Sequence, residues 1–351
     1  MKKKSLPFLW KATCITFVGV LTVGYAWYYF AVPTGPVPVR VGFVLAHNVY
    51  AHRKAYEGFL RKHSQVEKKR VYDVRPFYFK EDEPTSLVSV VKELRRWKPD
   101  VVVVDGYFAT PYVAREMSDY PVVFIGVDDC VERKLVDSFE RPGGHVTGVI
   151  SGEYDRLAMA AMLQVVKPGA CNVLLPYDLN DDVGGLVVRD ARAVKRLLAR
   201  EKVNTTIFPI SDMAHALEEI APLLQSHDVL LTLECDPLEY LIEPLVALCE
   251  KTETTFFPGS LGGMEAGAMF AFGGHAQVPG KMAFVLVQKI VEEGVLPAEL
   301  PIAQVTGHRQ FVINASKAAV QHMQPVNEQA VRLRLLRYNS SAPFELNLKI
   351  V

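Results

Sequence analysis

The chain has 351 residues, half of them hydrophobic, with 39 basic and 39 acidic side chains and a formal net charge of zero. It is longer than one typical domain and apolar enough to bury two cores. With no basic block beyond the amino terminus, it lacks the electrostatic footprint of a nucleic-acid binder.

Lys2, Lys3, Lys4 and Lys11 precede a stretch from Ala12 to Val39 without a charged residue. A helix of about 20 such residues crosses the ~30 Å hydrocarbon core, and the positive flank stays in the cytoplasm. Residues 1–11 are therefore expected to be a cytoplasmic basic end, 12–32 a transmembrane anchor, and 33–38 a linker whose prolines cannot continue a helix. Trp27, Tyr28, Tyr29 and Phe30 suit an interfacial aromatic belt, which favours an uncleaved anchor. Gly24 and Ala26 also satisfy the small-residue rule for cleavage after Ala26, so a removed signal is the alternative. The first reading places the folded part outside an inner membrane as a single-pass protein.

After the linker, strand and helix patterns alternate. Val39–Leu45 reads as a strand, Tyr50–Lys62 as a helix, Val71–Tyr78 as a strand, Thr85–Trp97 as a helix, Val101–Val104 as a strand, Thr110–Met117 as a helix and Val122–Val127 as a strand. Pro142, Gly143 and Gly144 enforce a turn before Val146–Ile150, and Ser151 and Gly152 relax the chain before a helical pattern at Tyr154–Val166, the spacing expected of a hinge. A second series follows: Asn172–Leu175, Leu186–Arg200, Thr205–Pro209, Met213–Leu224, Val229–Leu233, Leu238–Lys251, Thr254–Phe257 and Ala268–Phe272. The predicted class is α/β, with two doubly wound parallel-sheet lobes. Val326–Arg337 reads as a basic amphipathic helix, and packing against the second lobe is its expected use.

Ligands of open parallel sheets sit beyond the carboxyl ends of the strands, where loop amides and helix N-termini converge. That rule selects His47 and Asn48; Asp105, Gly106 and Tyr107; Asp128 and Asp129; Tyr177 and Asp178; Glu234 and Asp236; and Ser260. Each also has a plainer reading, since Asp and Asn there often cap helices. The carboxylates among them would make an acidic mouth that disfavours anions and suits an amine or cation, with Tyr107, Phe108 and Tyr177 offering cation–π contacts. Solvation of those carboxylates at the surface is the competing view.

Catalytic motifs fail on inspection. Gly274 to Met282 has five residues between its glycines rather than the four of a P-loop, and Met282 replaces the magnesium-binding hydroxyl. Pro258-Gly259-Ser260-Leu261-Gly262 lacks the first glycine of a nucleophile elbow, and no histidine pair has metal-binding helical spacing. No enzymatic activity, cofactor or metal is expected. Cys130, Cys171, Cys235 and Cys249 match no zinc spacing; buried free thiols are the simplest reading, although four cysteines also allow three disulfide pairings.

Several ordered stretches carry a resemblance. PVVF at Pro121–Phe124 and LVDSFERPGGHVTGV at Leu135–Val149 stand beside VRVGFVLAH at Val39–His47 and KPDVVVVDG at Lys98–Gly106. GKMAFVLVQKIVEEG at Gly280–Gly294 and FVINASKAA at Phe311–Ala319 follow. Together they resemble the ABC-transporter substrate-binding family, whose members commonly read P-I-V-F, T-D-P and L-V-x-S-L-x-x-P-G-G-N-V-T-G. The resemblance implies the type I periplasmic-binding fold with three crossovers. Lobe 1 would comprise 39–149 and 276–304, lobe 2 would comprise 150–275 and 305–338, and 339–351 would be a tail. It also implies capture of a small solute, with permease and ATPase subunits as partners; a membrane-tethered sensor partnering a histidine kinase is the alternative, and a scaffold that has lost its ligand a third possibility. The family's G-T-P aligns with Gly106, Tyr107 and Phe108, its T-D-P with Asp128, Asp129 and Cys130, and a usual aspartate with Ser260. No family lipobox cysteine follows the apolar run, since Cys14 lies at its start.

Overall fold

A computed structural model describes residues 37–350, except 47–48, 81–82, 151–168 (where only 159, 163 and 167 are described), 180–185, 234–235, 306–307 and 315–344 (where only 316, 317 and 329 are described). The expected anchor, the Ser151–Gly152 hinge segment, most of the Tyr154–Val166 helix and nearly all of the Val326–Arg337 helix lie outside the described residues. Among the described residues no helix is long and apolar enough to cross a membrane.

The first lobe is built on β1 (Val39–Ala46), β2 (Tyr72–Phe79), β3 (Val101–Asp105), β4 (Val122–Ile125), β5 (Val146–Ile150) and a short β11 (Ala303–Gln304). They pair in parallel in the order β2-β1-β3-β4-β5-β11. The central strands are continuous apolar runs because both faces are covered. Val102, Val104, Val122 and Phe124 face one core with α2 (Pro84–Trp97) and α3 (Ala109–Glu116). Val101, Val103, Val123 and Ile125 face the other with α1 (Tyr50–Gln65) and a long helix, Gln277–Glu293.

The close approach of those last two helices rests on glycine. A Cβ at Gly280 would lie 1.8 Å from the Ala55 carbonyl oxygen, and one at Gly58 would lie 2.1 Å from that of Gln277. Backbone meets backbone at both points, so neither side chain can simply turn aside.

The second lobe contains β6 (Asn172–Asp178), β7 (Asn204–Ile210), β8 (Val229–Leu231) and β9 (Thr255–Phe257), parallel in the order β7-β6-β8-β9. α4 (Leu186–Arg200) packs on one face through Ala191, Val194 and Leu198, and α5 (Ala216–Leu224) and α7 (Ile242–Lys251) pack on the other. The short α6 (Asp236–Glu239) precedes α7, and α8 (Gly262–Glu265) follows β9; the long helix Gln277–Glu293 is α9.

This lobe departs from the expected wholly parallel arrangement. β10 (Phe270–Gly274) and β12 (His308–Ile313) are antiparallel, and β13 (Glu345–Ile350) pairs in parallel with β12. The reason is connectivity. β10 carries the chain out toward α9 of the first lobe and β12 brings it back after β11, so neighbouring strands at the crossing run in opposite directions. Phe270, Phe272, Phe311 and Ile313 nevertheless join Val173, Leu175, Val229 and Leu231 in one core. Three chain passages therefore link the lobes: after β5, between β10 and α9, and between β11 and β12.

The Pro142-Gly143-Gly144 turn lies ahead of β5, where Gly143 adopts φ +83° and donates its N–H to the Ala298 carbonyl at 3.4 Å. Phe139 accepts the Ile302 N–H at 2.7 Å, so this motif staples the β4–β5 connection to the segment leading into β11.

Candidate functional site

The carboxyl ends of β1, β3 and β4 converge on one edge of the first lobe. Asp105 ends β3 and is buried at 4% exposure. His52, in the first turn of α1 and 2% exposed, accepts the Ala46 N–H on Nδ1 at 3.2 Å, which puts the ring proton on Nε2. That nitrogen stands 4.0 Å from Asp105 Oδ1. The chain then turns at Gly106, where φ of +94° favours glycine, and the Gly106 carbonyl accepts the Thr110 hydroxyl at 2.6 Å, closing the start of α3.

Tyr107 follows, half-buried, with the Arg133 guanidinium 5.2 Å from its ring centroid. Arg133 Nε in turn donates to both oxygens of Asp129 at 2.8 Å. The sequence places Asp129 in an acidic mouth; in the structure its charge is answered by Arg133 four residues on. Asp128 is exposed. Phe108, 40% exposed, stacks on Phe79 at the rim. Behind this loop Cys130 is fully buried, and burial pushes its thiol up to about 12. Cys130, Cys171 and Cys249 are free thiols.

In the second lobe, Tyr177 and Asp178 end β6 and are both buried. Asp236 opens α6. Ser260 is buried in the turn after β9 and accepts the Gly262 N–H at 3.1 Å. His47, Asn48 and Glu234 lie outside the described residues.

Residues not singled out in the sequence join the lobes. A Cβ at Gly262 would meet Tyr50 Cβ at 3.1 Å, Ser260 Oγ at 3.2 Å and Glu239 Oε2 at 3.3 Å, so α1 of the first lobe and two turns of the second meet there. Tyr240 packs against the first lobe's core cluster from the second. Burial, followed by the neighbouring Glu265 and Glu239 carboxylates, raises the Tyr50 phenol above its ordinary value. His52 carries a readable signal: with Ala55 and Phe59 it occupies i, i+3 and i+7 of a buried helical stripe, where a polar side chain is out of place. Glu239 and Tyr240 carry none, because it is the break between α6 and α7 that sets Glu239 beside Gly262 and Tyr240 against the first lobe's core cluster.

Thus Asp105, Gly106, Tyr107, Asp128 and Asp129 share the edge of one lobe, and Ser260 lies beside Glu239 on the facing lobe. Among the described residues no group of three or more His, Cys, Asp or Glu side chains is placed to hold one.

The family model for ABC transporter substrate binding proteins matches residues 44–332. The chain belongs to this family. The fold agrees. Among solved structures, an ABC domain in complex with L-Trp from Streptococcus pneumonia aligns at TM-score 0.73 and 15% identity, covering 84% of this chain and 98% of that one. A conserved domain protein from Vibrio cholerae aligns at TM-score 0.72 and 20% identity, covering 84% and 98%. A ligand-free, open substrate-binding protein with adhesive properties from Clostridium difficile gives TM-score 0.60 and 16% identity, covering 88% and 99%. No curated protein matches the chain. At these identities the solved structures establish the type I periplasmic-binding fold, and the family match establishes a substrate-binding component of the ABC-transporter class.

Proposed function

We propose that this substrate-binding protein captures a small amine-bearing solute, of amino-acid type or related, between its lobes and delivers it to membrane permease subunits. The observation that carries the ligand class is the buried Asp105 at the end of β3, beside the equally buried His52 and next to the Tyr107 turn. A carboxylate in a desolvated cleft attracts an ammonium group far more strongly than one in water, and tyrosine faces add cation–π attraction. The second lobe brings two further carboxyl groups, Asp178 at the end of β6 and Glu239 beside Gly262, while Arg133 is engaged by Asp129. The L-Trp in the Streptococcus pneumonia complex is an amino acid, which agrees with this class.

Lobe closure would follow from the ligand's better contacts in the closed state, with the transport energy supplied by a partner ATPase. The Ala12–Val39 stretch would tether the protein to the inner membrane with its folded part outside. A thermal-shift screen of the full chain against amino acids, polyamines, sugars and carboxylic acids tests the reading, because a ligand that binds only the folded state raises its melting temperature. Stabilisation by amine-bearing compounds is expected. Stabilisation only by sugars or anions would overturn the ligand class while leaving solute capture intact.

A further inference from the structure

We infer that the first two turns of α1 form a latch that holds the lobes together before any solute enters, with Tyr50 as its apolar wedge and Glu265 as its charged catch. The inference rests on the two lobes moving about their crossovers, and not on the identity of a ligand.

Three observations carry it. Tyr50 belongs to the first lobe, yet its neighbours Leu261, Met264, Ala271 and Val312 all belong to the second. The absence of a side chain at Gly262 is what lets the α8 turn come within van der Waals reach of Tyr50. Arg53 and Lys54, one turn further along α1, both reach across to a single carboxylate: Arg53 pairs closely with Glu265, and Lys54 Nζ lies 3.6 Å from its other oxygen. The two cations stand 5.8 and 5.6 Å from the Tyr50 ring centroid, so wedge and catch are one unit. Finally, Lys54 also pairs with Glu57 at 3.3 Å, and Glu57 accepts the Gln277 side-chain amide at 3.3 Å at the start of α9. The cluster therefore runs from the α8 turn of the second lobe to the start of α9.

The division of labour follows from exposure. Arg53 and Glu265 are about half exposed, at 48% and 51%, so their pair is weakened by solvent and salt. Removing Tyr50 from water supplies the attraction, and the charges fix its register. A protein latched in this way pays less to reach its binding-competent state, which raises apparent affinity. It must also open to admit solute, which slows association.

The test is a lobe-to-lobe distance distribution in the full chain without added solute. Spin labels carried on bioorthogonal amino acids replace the exposed Lys92 of α2 and Arg196 of α4, and double electron–electron resonance reads their separation. The unsubstituted latch should give one narrow, short distribution. Tyr50→Ala and Glu265→Lys should shift it to longer and broader distances, high salt should do so partly, and the charge swap Arg53→Glu with Glu265→Lys should restore it. An open distribution in the unsubstituted protein, or distances unchanged in both Tyr50→Ala and Glu265→Lys, would overturn the latch. Neither result would depend on whether the solute screen succeeds.

Discussion

At the scale of single residues, Asp129 and His63 show how neighbours decide what a titratable side chain does. Asp129 grips Arg133 through two 2.8 Å contacts at 18% and 13% side-chain exposure, and Arg133 in turn lies over Tyr107. Asp129→Ala would leave a half-buried guanidinium without its carboxylate beside the cleft. The expected loss is roughly 1–3 kcal/mol of stability, read by urea denaturation, with Arg133→Met costing less in the Asp129→Ala background than alone. His63 is different. Burial, then the nearby Lys68, lowers its pKa below the ordinary value near 6.5. The folded state thus favours the neutral ring, a contribution present above the unfolded pKa and lost as pH falls through the lower folded one. The melting-temperature advantage of the wild-type chain over His63→Gln should therefore shrink as pH is lowered from 7.5 into the range below 6.5. An advantage that grew on acidification would contradict the assigned direction.

At the scale of elements, much of the first lobe is legible in the sequence. Apolar β-branched runs bounded by Asp, Gly and Pro mark β1, β3 and β4 to within a residue or two, and the stripe of Leu87, Val90, Val91 and Leu94 marks α2. The second lobe is less so. Leu238–Lys251 reads as one segment but breaks after Glu239, and the antiparallel β10–β12 pair follows from where the chain crosses between lobes, which no local pattern encodes. The strand-end rule gathers Asp105, Gly106, Tyr107 and Asp129 because it rests on sheet geometry. It misses Tyr50, His52, Glu239 and Tyr240 because they lie on or beside helices whose meeting is tertiary. Two elements give sharp expectations. Gly280→Ala forces a Cβ into the Ala55 backbone and should cost roughly 1–3 kcal/mol, seen as a lowered urea midpoint; a neutral result would mean that α1 and α9 can separate freely. β13 registers Leu346, Leu348 and Ile350 opposite Arg309, Phe311 and Ile313. Ending the chain after Phe344 removes this parallel backbone ladder from β12 and should lower the melting temperature measurably.

At the scale of the whole molecule, two α/β lobes, each with its own sheet and core clusters, are linked by three chain passages. The long helix α9 is locked to α1 by two glycines, so the segment leaving β10 is anchored firmly on the first lobe. Calorimetric titration of the full chain with the amine-bearing compound that stabilises it most tests the central claim directly, using Asp105→Asn beside the surface control Asp212→Asn. The account predicts saturable binding that weakens at least about tenfold, or 1.4 kcal/mol, in Asp105→Asn and is unchanged in Asp212→Asn. Equal affinity in all three proteins, or no saturable binding of any amine by a folded chain, would contradict it.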